Sequence, residues 1–523
     1  MPSNSQTFRL VFDGGWATDY GDNAEVGISQ DGMVQIPFLS ESLNNYYHLD
    51  GATHKIGGTT KMNATVANSG AKIIGLFDYW KGAGGSSTQK ICIHTGTTFQ
   101  VASMDGTFAE PTGAVVLTDD TPVSYNTFDD LLIIGSVADV PKSYDQSVVQ
   151  TLAGSPPNFA FSETHKNRVW AAGVAALPSR LYYSTHVDPE NWTGAGSGFI
   201  DIDPADGDGI MAIASHKDNL WVFKGPYTGS IHRIIGSAPT GSDSFGRQTF
   251  VNGIGAVGQN TLFRFKDDLG FMWSDGSIHS LAATAAYGDF NEAALSRPIN
   301  GWILPRVNAG RLKYAWAATD SVRGYVLFTL PINSSTTNNV HLMMDYRFDT
   351  PRWSRWEAFD SGAVASVVNS GIPQIFSAGN DGFVRKTQRS ARSIDTTTPY
   401  EAKTTTPFIS FGTPHNMKVL SRTSLGVNPI GPYNVKFEWT RDNNATQTVS
   451  TSQGGSGTAF GDPFLLGTSR LGGSAFQHRF IALEEGGEFR TLQLNASNSL
   501  LNEDLELHVI GLTIARGADS GEN

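Results

Sequence analysis

Four carboxylates crowd the segment DIDPADGDG at 201–209: Asp201, Asp203, Asp206 and Asp208. Several oxygen ligands on a glycine-containing loop are what a hard cation such as Ca²⁺ requires, so these four are candidate metal ligands. Their spacing departs from an EF-hand loop, with one residue too many before the Asp-Gly pair and Ala212 where a closing Glu would stand. The competing reading is a solvated acidic turn, because Asp and Gly dominate tight turns. A second group joins aromatics to cations: Arg347, Arg352, Trp353, Arg355 and Trp356 in YRFDTPRWSRWEAF. Such a group suits a sugar or anion platform, and it suits a subunit contact, where Trp and Arg are enriched. The contact is the preferred reading, which makes Arg352, Trp353, Arg355 and Trp356 interface candidates. Asp268, Asp275, Asp345 and Glu357 would serve a glycosidase if the fold brought two of them to opposite sides of a sugar bond. His165 and His216 hold matching places in HKNRVW and HKDNLW, which predicts a structural role at a repeated turn.

Other chemistries lack their residues. Neither GxxxxGK[ST] nor a strand-linked GxGxxG occurs, and HExxH and GxSxG are missing, so an enzyme or a cofactor is not expected. Cys92 is the single cysteine, which excludes an intrachain disulfide and a multi-cysteine zinc site. In KICIH it alternates with isoleucines, as a buried strand residue does. Lys plus Arg number 37 against 49 Asp plus Glu, a formal charge of −12 that disfavours wrapping nucleic acid. The opening MPSNSQTFRLVF has no basic stretch before an apolar core, and apolar runs stay short, so neither a signal peptide nor a membrane span is expected.

The elements that must position these groups are strands. Only 16% of residues are charged, against about a quarter in ordinary domains, while glycine supplies 57 of 523 positions. Exposed helices need Lys, Glu and Arg, so the balance favours short strands and tight turns. A polar turn followed by an aromatic strand and then another strand recurs at FDDLLIIG (128–135), HKNRVWAAG (165–173), HKDNLWVFKG (216–225) and FKDDLGFMWSDG (265–276). Related units stand at 72–80 with 90–102, at 323–330 with 341–348, and at 373–387. The turns repeat roughly every 40–55 residues, the length of a four-stranded propeller blade. The expected fold is all-β: a β-propeller of about seven blades at 66–392, preceded by an extended arm at 1–65 and followed by an antiparallel sandwich-like domain at 393–523. A pair of stacked β-sandwiches is the alternative architecture. One helix is predicted over 288–302, capped by Asp289 or Asn291 and ended at Pro298. SQGGSGTAFG at 452–461 reads as a loop or as a contact ordered by a neighbouring subunit.

The order of parts resembles the tail hub or nozzle proteins of short-tailed bacteriophages. FDGGWATDYGDNAEV and DGMVQIPFLSESLNNYYHLDGATHKIGG are similar to the opening of that family. HKNRVWAAG followed by SRLYYSTHVDPENWT at 179–193 matches its His-x-Asn/Asp-Arg-aromatic strand and its later Asp-Pro-x-x-Trp segment. WSDGSIHSL at 273–281, HRFIAL and LELHVIGLTI continue the match, which spans nearly the whole chain. The resemblance implies a structural virion protein assembled in the host cytoplasm. It implies a homohexameric ring below the portal and adaptor that continues the DNA exit channel and docks fibres or a needle. DNA would pass such a wall without specific binding, and net acidity fits a surface that repels phosphate. The family's fibre platform has no counterpart in a large insertion here. Two other functions stay open: a carbohydrate-binding or glycan-hydrolysing propeller, and a cytosolic interaction scaffold.

Overall fold

The computed structural model describes residues 5–516 except 13, 19–22, 25–32, 50, 83–86, 114, 287–292, 359–361, 389–390, 413, 428–432, 443–445, 454–476 and 482–487. Strand makes up 52% and helix 6%, the outcome expected of a chain rich in glycine and poor in charge. Two compact units emerge. One comprises 61–341 with 359–387, the other 1–60 with 342–358 and 388–523.

The first unit is the β-propeller. Six self-contained antiparallel sheets are its blades. The first has strands Ile73–Lys81, Thr88–Thr95 and Thr98–Ala102. The second has Val123–Phe128, Leu131–Ser136, Lys142–Tyr144 and Val149–Thr151. The third has Phe161–His165, Arg168–Ala172, Arg180–Tyr183 and Gly198–Asp201. The fourth has Gly209–His216, Asn219–Gly225, Ser230–Ile235 and Gly246–Asn252. The fifth has Phe263–Phe265, Asp268–Met272 and Ile278–Ser280. The last is led by Ala363–Asn369, Ile372–Ala378 and Val384–Thr387. A hairpin, Trp316–Asp320 with Tyr325–Leu330, stands between the fifth and last blades in the same ring. The leading strands are neighbours around a central axis, and the ring closes where Ala363–Asn369 lies beside Ile73–Lys81.

The repeated motif has a physical reason. HKNRVW and HKDNLW each make a two-residue hairpin, pairing His165 with Arg168 and His216 with Asn219. Both central residues take positive φ, at Lys166 and Asn167 and again at Lys217 and Asp218, as a type I′ turn demands. The following Trp closes each turn: the indole Nε1 of Trp170 donates to the His165 carbonyl at 3.2 Å, and Trp221 to the His216 carbonyl at 3.1 Å. Gly-Ser-Ile-His recurs in the third strands of the fourth and fifth blades, where Ser230 meets His232 Nε2 at 2.9 Å and Ser277 meets His279 Nε2 at 2.8 Å. Apolar faces fill the spaces between blades. Trp170, Leu181, Ile213, Leu220 and Val222 join the third and fourth, and Cys92 lies fully buried with Tyr79, Leu132 and Tyr144 between the first and second. Burial pushes the Cys92 thiol well above its usual range, so it packs as an inert small hydrophobe.

Where a helix is expected at 288–302, the described residues form shorter pieces. A helix runs Leu281–Ala286, a 3₁₀ turn Arg297–Ile299 and a single turn Asn300–Ile303. Pro298 lies inside the 3₁₀ turn, where its missing N–H costs nothing, and so does not end a helix. Asp289 and Asn291 fall outside the described residues.

In the second unit, Ser5–Phe12 is a strand flanked by Met33–Ile36 and Glu506–Arg516, the latter pairing onward with Lys418–Val427. Another sheet joins Leu492–Asn498 to Ala402–Thr405, Tyr433–Arg441 and, through Glu41–Leu43, to Arg352–Trp356. Most of SQGGSGTAFG lies outside the described residues. Among the described residues no helix is long and apolar enough to cross a membrane.

Candidate functional site

The acidic loop enters the fourth blade, and the structure gives each of its carboxylates a partner of its own. Asp201 receives Arg180 in a two-point pair, Nε to Oδ1 at 2.7 Å and Nη2 to Oδ2 at 3.0 Å. Asp203 pairs with Arg247 at 2.5 Å. These two hydrogen-bonded guanidiniums hold both carboxyls below the usual carboxylate range. Asp208 is buried and accepts from the backbone N–H groups of Tyr227 at 2.8 Å, Thr228 at 2.9 Å and Gly229 at 2.7 Å, and from the Thr228 hydroxyl at 2.6 Å. Burial alone would raise its pKa, but these donors outweigh burial and lower it.

Asp206 explains the loop. Its two oxygens accept from Lys224 Nζ, both at 2.7 Å, and the same ammonium donates to the carbonyls of Ile202 at 2.8 Å and Asp203 at 2.7 Å. Lys224 is fully buried. The oxygen-rich turn thus wraps a cation that the chain supplies itself, and the four carboxylates do not converge within metal-ligand reach of one another. Sequence reading saw the oxygens and missed the lysine sixteen residues beyond Asp208, because only the second strand of the blade brings it underneath the loop.

The Trp and Arg strand is inward-facing at its indoles. Trp353 is fully buried and Trp356 nearly so. The Trp353 carbonyl accepts from Trp16 N at 3.0 Å and from the Tyr47 hydroxyl, and Trp356 Nε1 donates to the Asn45 carbonyl at 2.9 Å. Arg352 lies over the Phe348 ring at 3.6 Å, and Arg355 pairs with Glu41 at 3.0 Å and Glu357 at 2.8 Å. The two indoles therefore build the core of their own unit, and the exposed Arg347 with the half-exposed Arg352 and Arg355 are the members of the group that solvent reaches.

The remaining acidic candidates are each held by near neighbours. Asp268 accepts from Leu269 N at 2.8 Å and Asp275 from Ser277 N at 2.8 Å, while Asp345 pairs with Arg347 at 2.6 Å and Glu357 with Arg355. His165 contributes its carbonyl to the Trp170 indole and its Nδ1 to Ser215 Oγ at 2.8 Å; burial lowers its pKa to about 4.

A feature the sequence did not announce lies at the end of the channel where the leading strands begin. Asp120, just before the second blade, receives Lys72 at 2.5 Å and a two-point contact from Arg311 at 2.8 Å, and its carbonyl accepts from Tyr314 Oη at 2.5 Å. Asn338 ties the Tyr314 carbonyl at 2.8 Å to the Gly362 carbonyl at 2.7 Å. Asn260, before the fifth blade, reaches the Val123 carbonyl in the second at 3.0 Å. Gln259 pairs with both backbone groups of Ile213, N at 2.8 Å and O at 2.9 Å, in the manner of a strand. Side chains separated by 137 and 191 positions thus tie together segments that belong to different blades. Beside them is a cavity of about 280 Å³, walled by Val123, Phe161, Ile210, Met211 and Val257, with Lys313 at its edge and no carboxylate in its lining.

No protein-family model matches the chain, and no curated protein matches it. Among solved structures, the computationally designed Ika8 protein is similar at 11% identity, covering 63% of this chain and 99% of that one with a TM-score of 0.34. YCF48 bound to D1 peptide is similar at 9% identity, covering 62% and 93%, with a TM-score of 0.38.

Proposed function

We propose that the chain is a structural subunit of a ring-shaped assembly, the tail hub or nozzle of a short-tailed bacteriophage. The observation that carries this reading is the outer edge of the fourth blade. Its last strand, Gly246–Asn252, is seven residues long and holds four successive exposed residues, Arg247 to Phe250, with Phe250 36% exposed. Proteins that work as monomers usually blunt such an edge with short strands, lysine, proline or a bulge. This edge carries one bulge, at Phe250, whose ring also packs edge-on against Trp221 at 4.9 Å, but it is long, exposed and free of lysine and proline, and its pairing groups on either side of the bulge are offered to a neighbour, as a closed ring of identical subunits needs. The order of sequence motifs supports the virion reading, since HKNRVWAAG and SRLYYSTHVDPENWT together build the third blade. The proposed partners are other copies of the chain, an adaptor above, and a fibre or needle below, with DNA passing through a shared acidic lumen.

A carbohydrate-active propeller is the second reading. What favours the scaffold over it is that Asp268, Asp275, Asp345 and Glu357 are each satisfied by local donors. Sizing of the full chain together with Phe250→Lys and Thr249→Pro tests the proposal. A large wild-type oligomer that the two variants reduce to folded monomers is expected. A wild-type monomer at micromolar concentration, or variants that assemble unchanged, would overturn it.

A further inference from the structure

A cluster in the second unit has the chemistry of a metal site. Asn45–Tyr47 pairs with Thr53–Lys55, which pairs in turn with the start of Glu506–Arg516. The register sets Tyr46 opposite His54 and Glu506 opposite His54 from the other side, so three strands contribute one polar residue each to a single row. Residues two apart on a strand share a face, which adds His48 beyond Tyr46 and His508 beyond Glu506. His48 N donates to the Ala52 carbonyl at 2.8 Å where the two strands join, and the His48 ring stacks on His54 at 5.2 Å.

The atoms meet at one point. His48 Nε2 lies 3.0 Å from His54 Nδ1, the Tyr46 hydroxyl contacts the same Nδ1, and one atom from each of His48, His54 and Glu506 lies within 4.8 Å of the others. Among the described residues this is the one group of three or more such side chains gathered so closely. His54 and Glu506 are each 5% exposed.

The far side of His54 fixes its proton. Nε2 faces both oxygens of Asp504 at 2.9 Å and Arg392 Nη2 at 3.0 Å; with its hydrogen given to the carboxylate, which only accepts, Nδ1 turns its lone pair to the cluster. Arg392 clamps that carboxylate at 2.8 and 2.9 Å and holds it in place. The arrangement of carboxylate, histidine and electron-pair donor is the one that orients metal-bound imidazoles. On the other flank His508 Nε2 meets Glu506 Oε1 at 2.8 Å and orients the carboxylate. A phenol and a second imidazole meet at His54 Nδ1, and the Glu506 carboxylate lies within 4.8 Å of both imidazoles. A cation among them satisfies all four at once. Ligands 2.0–2.2 Å from a tetrahedral Zn²⁺ are separated by about 3.3 Å, so the His48–His54 contact at 3.0 Å has to open slightly, the closer Tyr46–His54 contact has to open more, and Glu506 has to draw in from within 4.8 Å.

We propose that His48, His54 and Glu506, with the Tyr46 hydroxyl as fourth ligand, bind one divalent transition-metal ion of the Zn²⁺ class, which staples the 45–55 hairpin to the C-terminal strand. The proposal is independent of the oligomeric state.

The test uses the full chain stripped with EDTA and titrated with Zn²⁺ by calorimetry, with bound metal counted by mass spectrometry and Co²⁺ used as a spectroscopic substitute. The expected result is one Zn²⁺ per chain, a higher melting temperature with Zn²⁺ than with EDTA, and Co²⁺ absorption of the intense four-coordinate type. His48→Ala should weaken binding at least 100-fold and melt like the wild type in EDTA, while His186→Ala, at an exposed histidine elsewhere, should bind as the wild type does. Should His48→Ala fail to fold, Glu506→Gln read by the Co²⁺ spectrum replaces it, with loss of the four-coordinate bands expected. No uptake above the EDTA baseline, a Co²⁺ spectrum like that of the aqueous ion, or unchanged Zn²⁺ affinity in whichever of the two variants folds would overturn the proposal.

Discussion

Lys224 and Asp206 form a pair whose two halves should behave very differently when removed. The ammonium has no exposed surface and four acceptor contacts, whereas Asp206 is 30% exposed at its side chain. Asp206→Ala strands a buried cation on two carbonyls, a class of change that costs about 3–5 kcal/mol. Water reaching in past the exposed side of Asp206 places the expected cost near the lower bound, at about 3 kcal/mol. Lys224→Met removes the charge, refills the volume and leaves a carboxylate that water can hydrate, so about 1 kcal/mol is expected. In Asp206→Ala/Lys224→Met nothing charged remains to be stranded, and the double variant should resemble Lys224→Met. With an unfolding entropy of about 2.1 cal/mol/K per residue and a unit of about 300 residues, 1 kcal/mol corresponds to about 1.5 °C. Calorimetric melting should therefore fall about 4–5 °C in Asp206→Ala and about 1–2 °C in both Lys224→Met and the double variant. Additive losses, with the double variant the least stable of the three, would refute the assignment of Lys224 as the loop's own cation.

The same cation predicts that added Ca²⁺ leaves the wild-type melting temperature unchanged; a rise reversed by chelator would restore the acidic loop as a metal site. Acid should weaken the propeller through its buried histidines. Burial lowers His94 and His279 to about 4, against about 6.5 in the unfolded chain. The unfolded state thus takes up protons first, so their contribution is complete above pH 6.5 and disappears as pH falls to about 4, by roughly 3 kcal/mol each. A melting series from pH 7 to 4 should steepen below 6.5, and His279→Gln should flatten it; a level profile contradicts the account. Trp170→Phe and Trp221→Phe each lose an indole hydrogen bond over a hairpin turn, worth about 1 kcal/mol, while Trp170→Ala at the fully buried position should cost about 3–5 kcal/mol in chemical denaturation.

What could be read from the chain was whatever is local. HKNRVW and HKDNLW announced their hairpins because Asn167 and Asp218 accept positive φ and the Trp returns to a carbonyl five residues back. Periodic turns announced the blades for the same reason. The helix at 288–302 misled because a run of Asn, Glu and Ala looks helical on its own, while the segment's described part is occupied by 3₁₀ and single-turn structure packed through Ile299 and Ile303. The role of Trp353 and Trp356 was illegible, since burial depends on Trp16, Asn45 and Tyr47, some 300 positions away. Separations as long hid the Asp120–Arg311 link, 191 positions apart, and the meeting of His54 with the far C-terminal Glu506. Sequence displays ligand types, but only strand register shows which of them share a row.

If this propeller is one member of a ring, as proposed, an image of the purified full chain will show it. Negative-stain particles with six-fold symmetry around a lumen of about 20 Å or more, wide enough for a DNA duplex with its grooves, are expected. Particles of a single propeller that hydrolyse a glycan would contradict it.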